Sequence, residues 1–290
     1  MAPTEPTQIA RDDELELKVT RWEVDAGVAT VTLSRPRSHN AWTGRMHTEL
    51  RHLLQRAESD RGIRVVVITG DHDGGTFCPG ADTAALRAHA DRGAYDAGTP
   101  DDIATPGFGI RDELDADFAS FLGMETVTIA AINGAAAGVG FALACWCDLR
   151  IVADDAKLTT AHGKLNLPAE YGLSWILPRL IGHGRAADLL LSSRIVLGRE
   201  AVHLGLAMRS LPADEVLAAA RNHARRLVTT ISPHSLRATK RQLAVDATHD
   251  NPAASIRDAQ ARLETMMGER DYREGTAALI DRRAPDWHDS

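Results

Sequence analysis

The chain has 290 residues, 44% of them hydrophobic and 25% charged, with a net charge of −7 at pH 7. That length buries a full core, and the acidic excess excludes a general nucleic-acid or anionic-membrane surface. The three cysteines, Cys78, Cys145 and Cys147, cannot build a disulfide framework and suit a reducing, cytoplasmic setting. No metal site is expected either, because Cys145 and Cys147 lack a further Cys or His pair at ligand spacing.

Residues 1–14 are polar and acidic without an apolar run, so they read as a frayed tail and not as a signal peptide. Residues 15–24 and 28–34 alternate in strand fashion about Asp25-Ala26-Gly27 and predict a β-hairpin. Over 43–59, Met46, Leu50, Leu53, Leu54 and Ala57 recur on one helical face. Residues 64–70 form a short β-branched run of the kind buried inside a parallel sheet. Helix, strand, loop and helix then repeat through 148–153, which predicts stacked β-β-α units. Residues 90–109, rich in Gly, Pro and Asp, break this rhythm and read either as a lid over a site or as an insertion.

After Pro212 the pattern is nearly all helical. Pro212 and Pro233 suit first-turn positions, Ser232 suits an N-cap, and Asn251-Pro252 opens another helix. That helix carries an apolar stripe of Ile256, Ala259, Leu263 and Met266, and a last helix is predicted over 271–282. The division expected is a tail over 1–14, a core over 15–211 and a helical region over 212–290. The helical region has too little core of its own and needs the main domain or a neighbouring subunit to cover it.

Two stretches carry the chemistry. Phe77-Cys78-Pro79-Gly80-Ala81-Asp82 and Ala130-Ala131-Ile132-Asn133-Gly134-Ala135-Ala136-Ala137-Gly138-Val139-Gly140 are apolar strands that break into small-residue turns before a helix. Such turns leave backbone N–H groups bare. Two of them brought together aim two donors at one oxygen atom, which is an oxyanion hole. Residues 126–147 carry no charge and are long enough to cross a bilayer. The strand-like 127–132 and the Asn133-Gly134 turn favour a soluble strand–turn–helix instead.

Taken in order, these motifs resemble the crotonase family (enoyl-CoA hydratase/isomerase). The matching pieces are Leu33-Ser34-Arg35-Pro36, Asn40-Ala41, the two turns, Cys147-Asp148-Leu149-Arg150, Gly172-Leu173-Ser174-Trp175, and the stretch from Glu274-Gly275 to Arg282-Arg283-Ala284-Pro285. The resemblance implies an α/β fold, a spiral of β-β-α repeats followed by a C-terminal helical trimerisation region, in a homotrimer or dimer of trimers. It implies an acyl-CoA substrate, coenzyme A entering as part of that substrate and no permanently bound cofactor, with no nucleic-acid or membrane partner. By motif position the oxyanion donors are the N–H groups of Ala81 and Val139. The substrate-binding and CoA-binding positions are Arg37, His39, Ala41, Gly80, Asp82 and Gly138, with Arg282 and Arg283 set toward a neighbour's CoA.

Departures from the family pattern sharpen the expectation. Hydratases of the family use two glutamates, and here those positions hold Ala142 and His162. Glu170, in Leu167-Pro168-Ala169-Glu170-Tyr171-Gly172, sits where dienoyl-CoA isomerases of the family carry a proton-moving aspartate. In an apolar loop its pKa rises, which suits a group that takes and returns a proton. Glu170, with His162 beside it, is therefore the expected catalytic set for enolate chemistry on an enoyl-CoA. The competing readings are a hydrolase of a thioester or β-diketone with His162 activating water, and a non-catalytic acyl-CoA binder.

Overall fold

The computed structural model describes residues 15–92 and 116–287. The tail predicted over 1–14 and most of the loop predicted over 90–109 lie outside the described residues. Strands β1 (Thr20–Asp25) and β2 (Val28–Leu33) form the predicted hairpin, with Asp25 opposite Val28. Ala26 and Gly27 both take positive φ, as a two-residue hairpin turn of this twist requires. Helix α1 (Gly44–Ser59) starts where Thr43 accepts a hydrogen bond from the Met46 N–H, and it buries the predicted apolar face.

Next come β3 (Val65–Gly70), β4 (Thr76–Cys78), α2 (Thr83–Arg92), α3 (Ser120–Gly123), β5 (Val127–Ile132) and β6 (Ala135–Ala137). They are followed by α4 (Val139–Trp146), β7 (Leu149–Ala153) and β8 (Lys157–Thr159), then α5 (Leu173–Ile181), α6 (His183–Ser192), β9 (Val196–Leu197), α7 (Gly198–Leu204) and β10 (Arg209–Leu211). The larger sheet runs β1-β2-β3-β5-β7-β10 and is parallel from β2 to β10. Its strands β3 and β5 are buried along their whole length, as expected for a sheet covered on both faces. The smaller sheet runs β4-β6-β8-β9, and its first three strands are parallel. The uncharged stretch over 126–147 is β5, β6 and α4, and among the described residues no helix is long and apolar enough to cross a membrane.

The two layers approach so closely that Gly140 has no room for a side chain. A methyl group there would overlap the Cys78 carbonyl oxygen and lie 2.6 Å from the Cys78 Cβ. This contact locks the first turn of α4 against the end of β4.

Four helices close the chain: α8 (Val216–Thr230), α9 (Pro233–Asp246), α10 (Pro252–Met267) and α11 (Arg270–Asp281). Pro212 does not open α8, contrary to expectation. It precedes a short 3-10 turn over Ala213–Glu215, and the helix begins at Val216. Helix α8 lies across β2, β3, β5 and β7, burying Val216, Ala220 and Ala224. Helix α9 is pinned by Lys240, only 5% exposed, whose ammonium donates to the Thr126 carbonyl at 2.6 Å and meets Asp148 at 2.8 Å. By contrast α10 and α11 leave Ile256, Leu263, Met267, Tyr272, Leu279 and Ile280 exposed.

The Lys240 anchor has a measurable consequence. Lys240→Met keeps the aliphatic stem but leaves the Thr126 carbonyl and one side of Asp148 without their charged donor. A loss of roughly 1.5–3 kcal/mol in urea unfolding is expected, and an unchanged midpoint would show that α9 does not depend on this anchor.

Candidate active site

The small sheet places three chain segments side by side. Strands β4, β6 and β8 are parallel neighbours, so the segments leaving their C-terminal ends emerge together. Ligand sites in parallel sheets form at this edge. After β4 comes Gly80 (φ +110), close enough that a methyl group would lie 3.3 Å from the Ala137 carbonyl oxygen at the end of β6. After β6 comes Gly138 (φ +51), whose N–H donates to the Thr159 carbonyl at the end of β8, at 3.2 Å.

Ala81 bridges Trp42 in parallel register. The Trp42 N–H donates to the Gly80 carbonyl at 2.8 Å, and the Asp82 N–H donates to the Trp42 carbonyl at 2.9 Å. In a parallel bridge the residue between those two rungs turns its own N–H away, so the Ala81 N–H faces away from Trp42. Val139 opens α4, where the first N–H groups have no partner inside the helix. Among the described residues neither N–H has an acceptor within the chain. Both are oriented donors, one backed by the positive end of a helix dipole.

The third segment, after β8, carries His162. Ala161 takes a positive φ of 60° just before it. Ser193 fixes the stretch on both sides: its hydroxyl accepts from the Gly163 N–H at 3.1 Å, and its carbonyl accepts from the Thr159 hydroxyl at 3.0 Å. His162 is buried, and its Nδ1 is sealed away with no hydrogen-bond partner. Ala142, on α4, is fully buried and brings only a methyl group.

Glu170 ends the same segment, just before α5. Its position is set by its neighbours: Tyr171 and Gly172 both take positive φ, the Tyr171 carbonyl accepts from the Trp146 indole N–H at 2.7 Å, and the Leu173 N–H donates to the Glu170 carbonyl at 3.0 Å. Trp146 stacks on Trp175, with ring centroids 5.6 Å apart, and the Arg179 guanidinium lies 3.7 Å from the Trp175 ring centre. Beside this loop opens a cavity of about 830 Å³, lined in part by Trp146, Tyr171, Gly172 and Trp175. Burial pushes the Glu170 carboxyl above its ordinary range, and the nearby His162 offsets part of that rise.

The sequence model of enoyl-CoA hydratase/isomerase matches residues 23–290. The chain belongs to that family. A probable enoyl-CoA hydratase of Mycobacterium tuberculosis, echA8, is 34% identical over 91% of this chain and 95% of its own length. The 1,2-epoxyphenylacetyl-CoA isomerase of Escherichia coli is 30% identical over 90% of this chain and 95% of its own. Among solved structures, a probable enoyl-CoA hydratase/isomerase from Mycobacterium abscessus superposes with a TM-score of 0.81 at 32% identity, covering 93% of this chain and 99% of its own. A putative enoyl-CoA hydratase from Streptomyces coelicolor gives 0.83 at 27% identity, with both chains covered in full. The α/β spiral of the enoyl-CoA hydratase/isomerase fold is therefore the fold of this enzyme.

Within this member of the enoyl-CoA hydratase/isomerase family, the remaining expected residues separate into free and committed groups. Arg37 is exposed and makes no ion pair among the described residues. His39 is exposed, with Nδ1 3.0 Å from the Gly74 carbonyl oxygen. The Ala41 carbonyl accepts from Arg35 at 2.7 Å, and the same guanidinium nitrogen reaches Asp82 at 2.9 Å. Asp82 also accepts from the Ala84 N–H at 2.9 Å. Its carboxylate thus ties the Ala81 turn to the 35–41 loop. Arg283 is likewise taken up intramolecularly, by both carboxylate oxygens of Glu274 at 2.6 and 3.0 Å. Arg282, exposed at the end of α11, is the cation of that pair without such a partner among the described residues.

Sequence reasoning missed the supports. Asn40, fully buried with φ +59, accepts from the Arg35 N–H and donates to the Asp71 and Thr76 carbonyls, holding the loop under the Ala81 turn. Trp42 and Ser193 play similar roles, and only Asn40 had a signal, as half of the Asn40-Ala41 motif.

The raised Glu170 carboxyl makes a prediction about stability. With its folded-state pKa above the unfolded one, the protonated form favours the fold; that contribution is complete below the unfolded pKa and is lost as pH rises through the folded one. Glu170→Gln, neutral at every pH, should therefore melt above the wild type at about pH 8. The difference should shrink toward zero below about pH 4; a variant less stable than the wild type at about pH 8 would contradict it.

Proposed function

We propose that the enzyme shifts a proton, and with it a carbon–carbon double bond, on an enoyl-CoA thioester. The observation that carries this reading is the pair of uncommitted N–H groups, Ala81 and Val139, at the ends of adjacent parallel strands. Removing a proton from carbon beside a thioester sends the bond's electron pair onto the carbonyl oxygen. Donors already oriented toward that oxygen bind the resulting enolate better than the ground-state carbonyl and so lower the barrier. Glu170, whose carboxyl burial pushes above its ordinary range, takes the proton as general base and returns it at a different carbon as general acid. Hydration by two carboxylates is disfavoured because Ala142 supplies no acid or base. Close relatives named as hydratases and as an isomerase are compatible with this chemistry.

Arg37 and His39 are suited to the CoA phosphates, and Arg282 to those of a neighbouring subunit. The exposed apolar residues of α10 and α11 support a homotrimer or a dimer of trimers. Light scattering at micromolar concentration should give a mass three or six times that of the chain, and a folded monomer would remove this part of the reading.

Two substitutions test the chemistry. Glu170→Gln keeps shape and hydrogen-bonding reach but removes the base; a 10²- to 10⁴-fold loss of kcat, roughly the range for general acid–base groups, should leave acyl-CoA affinity nearly unchanged. In the wild type, kcat should fall as pH drops through the raised Glu170 pKa, because the resting base must be ionised. Val139→Pro deletes one donor at a helix position where proline is tolerated. It should cost about 10²- to 10³-fold in kcat with the fold retained, and full activity would exclude this N–H from the reaction.

A further inference from the structure

Resting on that reading, we infer that His162 is a fixed hydrogen-bond donor that selects acyl groups bearing an acceptor oxygen, such as a hydroxyl, ether, epoxide or carbonyl, over plain hydrocarbon chains. His162 is 7% exposed, and among the described residues neither ring nitrogen is hydrogen-bonded. Buried polar side chains normally find partners, and one left without a protein partner calls for an explanation. The ring is not in a loosely held loop. Ser193 holds the residues on either side of it, Ala161 before it takes a positive φ, and the Leu167 N–H closes onto the His162 carbonyl at 3.1 Å.

The two nitrogens are not equivalent. Nδ1 is sealed from solvent with nothing to accept a proton from it or give one to it. Nε2, without a partner among the described residues and absent from the sealed atoms, is the nitrogen open to solvent. An orphaned N–H is less tolerated in a protein interior than an orphaned lone pair. The neutral ring therefore keeps its proton on Nε2 and presents a donor. A donor cannot take the proton of an attacking water, so this arrangement disfavours the hydrolytic alternative.

What the donor faces follows from its segment. His162 leaves the C-terminal edge of β8 beside the Gly138 turn and lies within electrostatic reach of Glu170. A ligand whose reacting carbons lie between Glu170 and the two backbone donors passes His162 with its acyl part. A hydrocarbon there leaves the Nε2–H unpaired, whereas an oxygen satisfies it, and such sites discriminate by the cost of the unmade bond. Ala142 adds no competing polar group.

The test compares butyryl-CoA with 3-hydroxybutyryl-CoA and 4-hydroxybutyryl-CoA by isothermal titration on the full chain. The wild type should bind at least one hydroxylated thioester roughly 10-fold more tightly than butyryl-CoA. His162→Phe should bring that ratio to about one, while His162→Gln, which keeps a donor, should retain part of it. The Phe variant should also melt no lower than the wild type, since it loses no hydrogen bond. Independently, ¹⁵N NMR of the wild-type imidazole should report the Nε2–H tautomer. Equal ratios in wild type and Phe variant, or a neutral ring protonated on Nδ1, would overturn the inference. If the wild type bound none of the three thioesters, the CoA reading itself would fall, an outcome distinct from binding without preference.

Discussion

Everything at the site depends on how closely two backbones approach where β4 ends and α4 begins. Gly140 presses on Cys78, and Gly80 lies against Ala137. Side chains at these contacts would push the two turns apart. The N–H groups of Ala81 and Val139 would then move apart, although each turn could still form. The hydrophobic core supplies the force that keeps these backbones together: Phe77, Cys78, Ala136, Leu143 and Leu158 are all buried around them. The geometry of the candidate site is thus a property of main-chain packing, with side chains acting mainly as fasteners.

Those fasteners share a pattern. Asn40, Asp82, Ser193 and the indole of Trp146 each bind backbone groups of a loop that the site needs in one conformation. The loops they hold include Asn40, Ala161, Tyr171 and Ser193, residues other than glycine with positive φ. Such conformations persist only when their surroundings over-determine them. The groups at the centre are the reverse: two bare N–H donors, a half-buried carboxylate and a sealed ring nitrogen. Hydrogen bonding is concentrated in the supports and sparse at the groups they surround, as is common at functional sites.

The legible parts of the sequence were those with short-range signatures. Alternation about Asp25-Ala26-Gly27 marked the hairpin, helical spacing from Met46 to Ala57 marked α1, and small residues after an apolar strand marked both turns. Glu170 stood out as an acid among apolar and small residues. The partners of charged residues were not legible, because pairing is decided by distant elements. Nothing local says that Arg283 is held by Glu274 while Arg282 is not, or that Asp82 serves Arg35. Pro212 misled because proline also suits the extended residue just before a 3-10 turn, which is where it stands. The second side of Ser193, a residue far from His162 in sequence, had no local mark at all.

The placement of α8 bears on how the enzyme is made. Arg221 of α8 binds Glu23, and Arg225 binds Asp25, across separations of 198 and 200 residues. Arg64, next to β3, donates to the carbonyl of Val228 at the far end of the same helix. The N-terminal hairpin and the early strands therefore emerge from the ribosome long before the helix that covers them. Until that helix arrives, one face of a hydrophobic parallel sheet lacks its lid, and contacts of this range are slow to close. The period between synthesis of the hairpin and release of α8 is when the nascent chain is most exposed to aggregation and most dependent on chaperones.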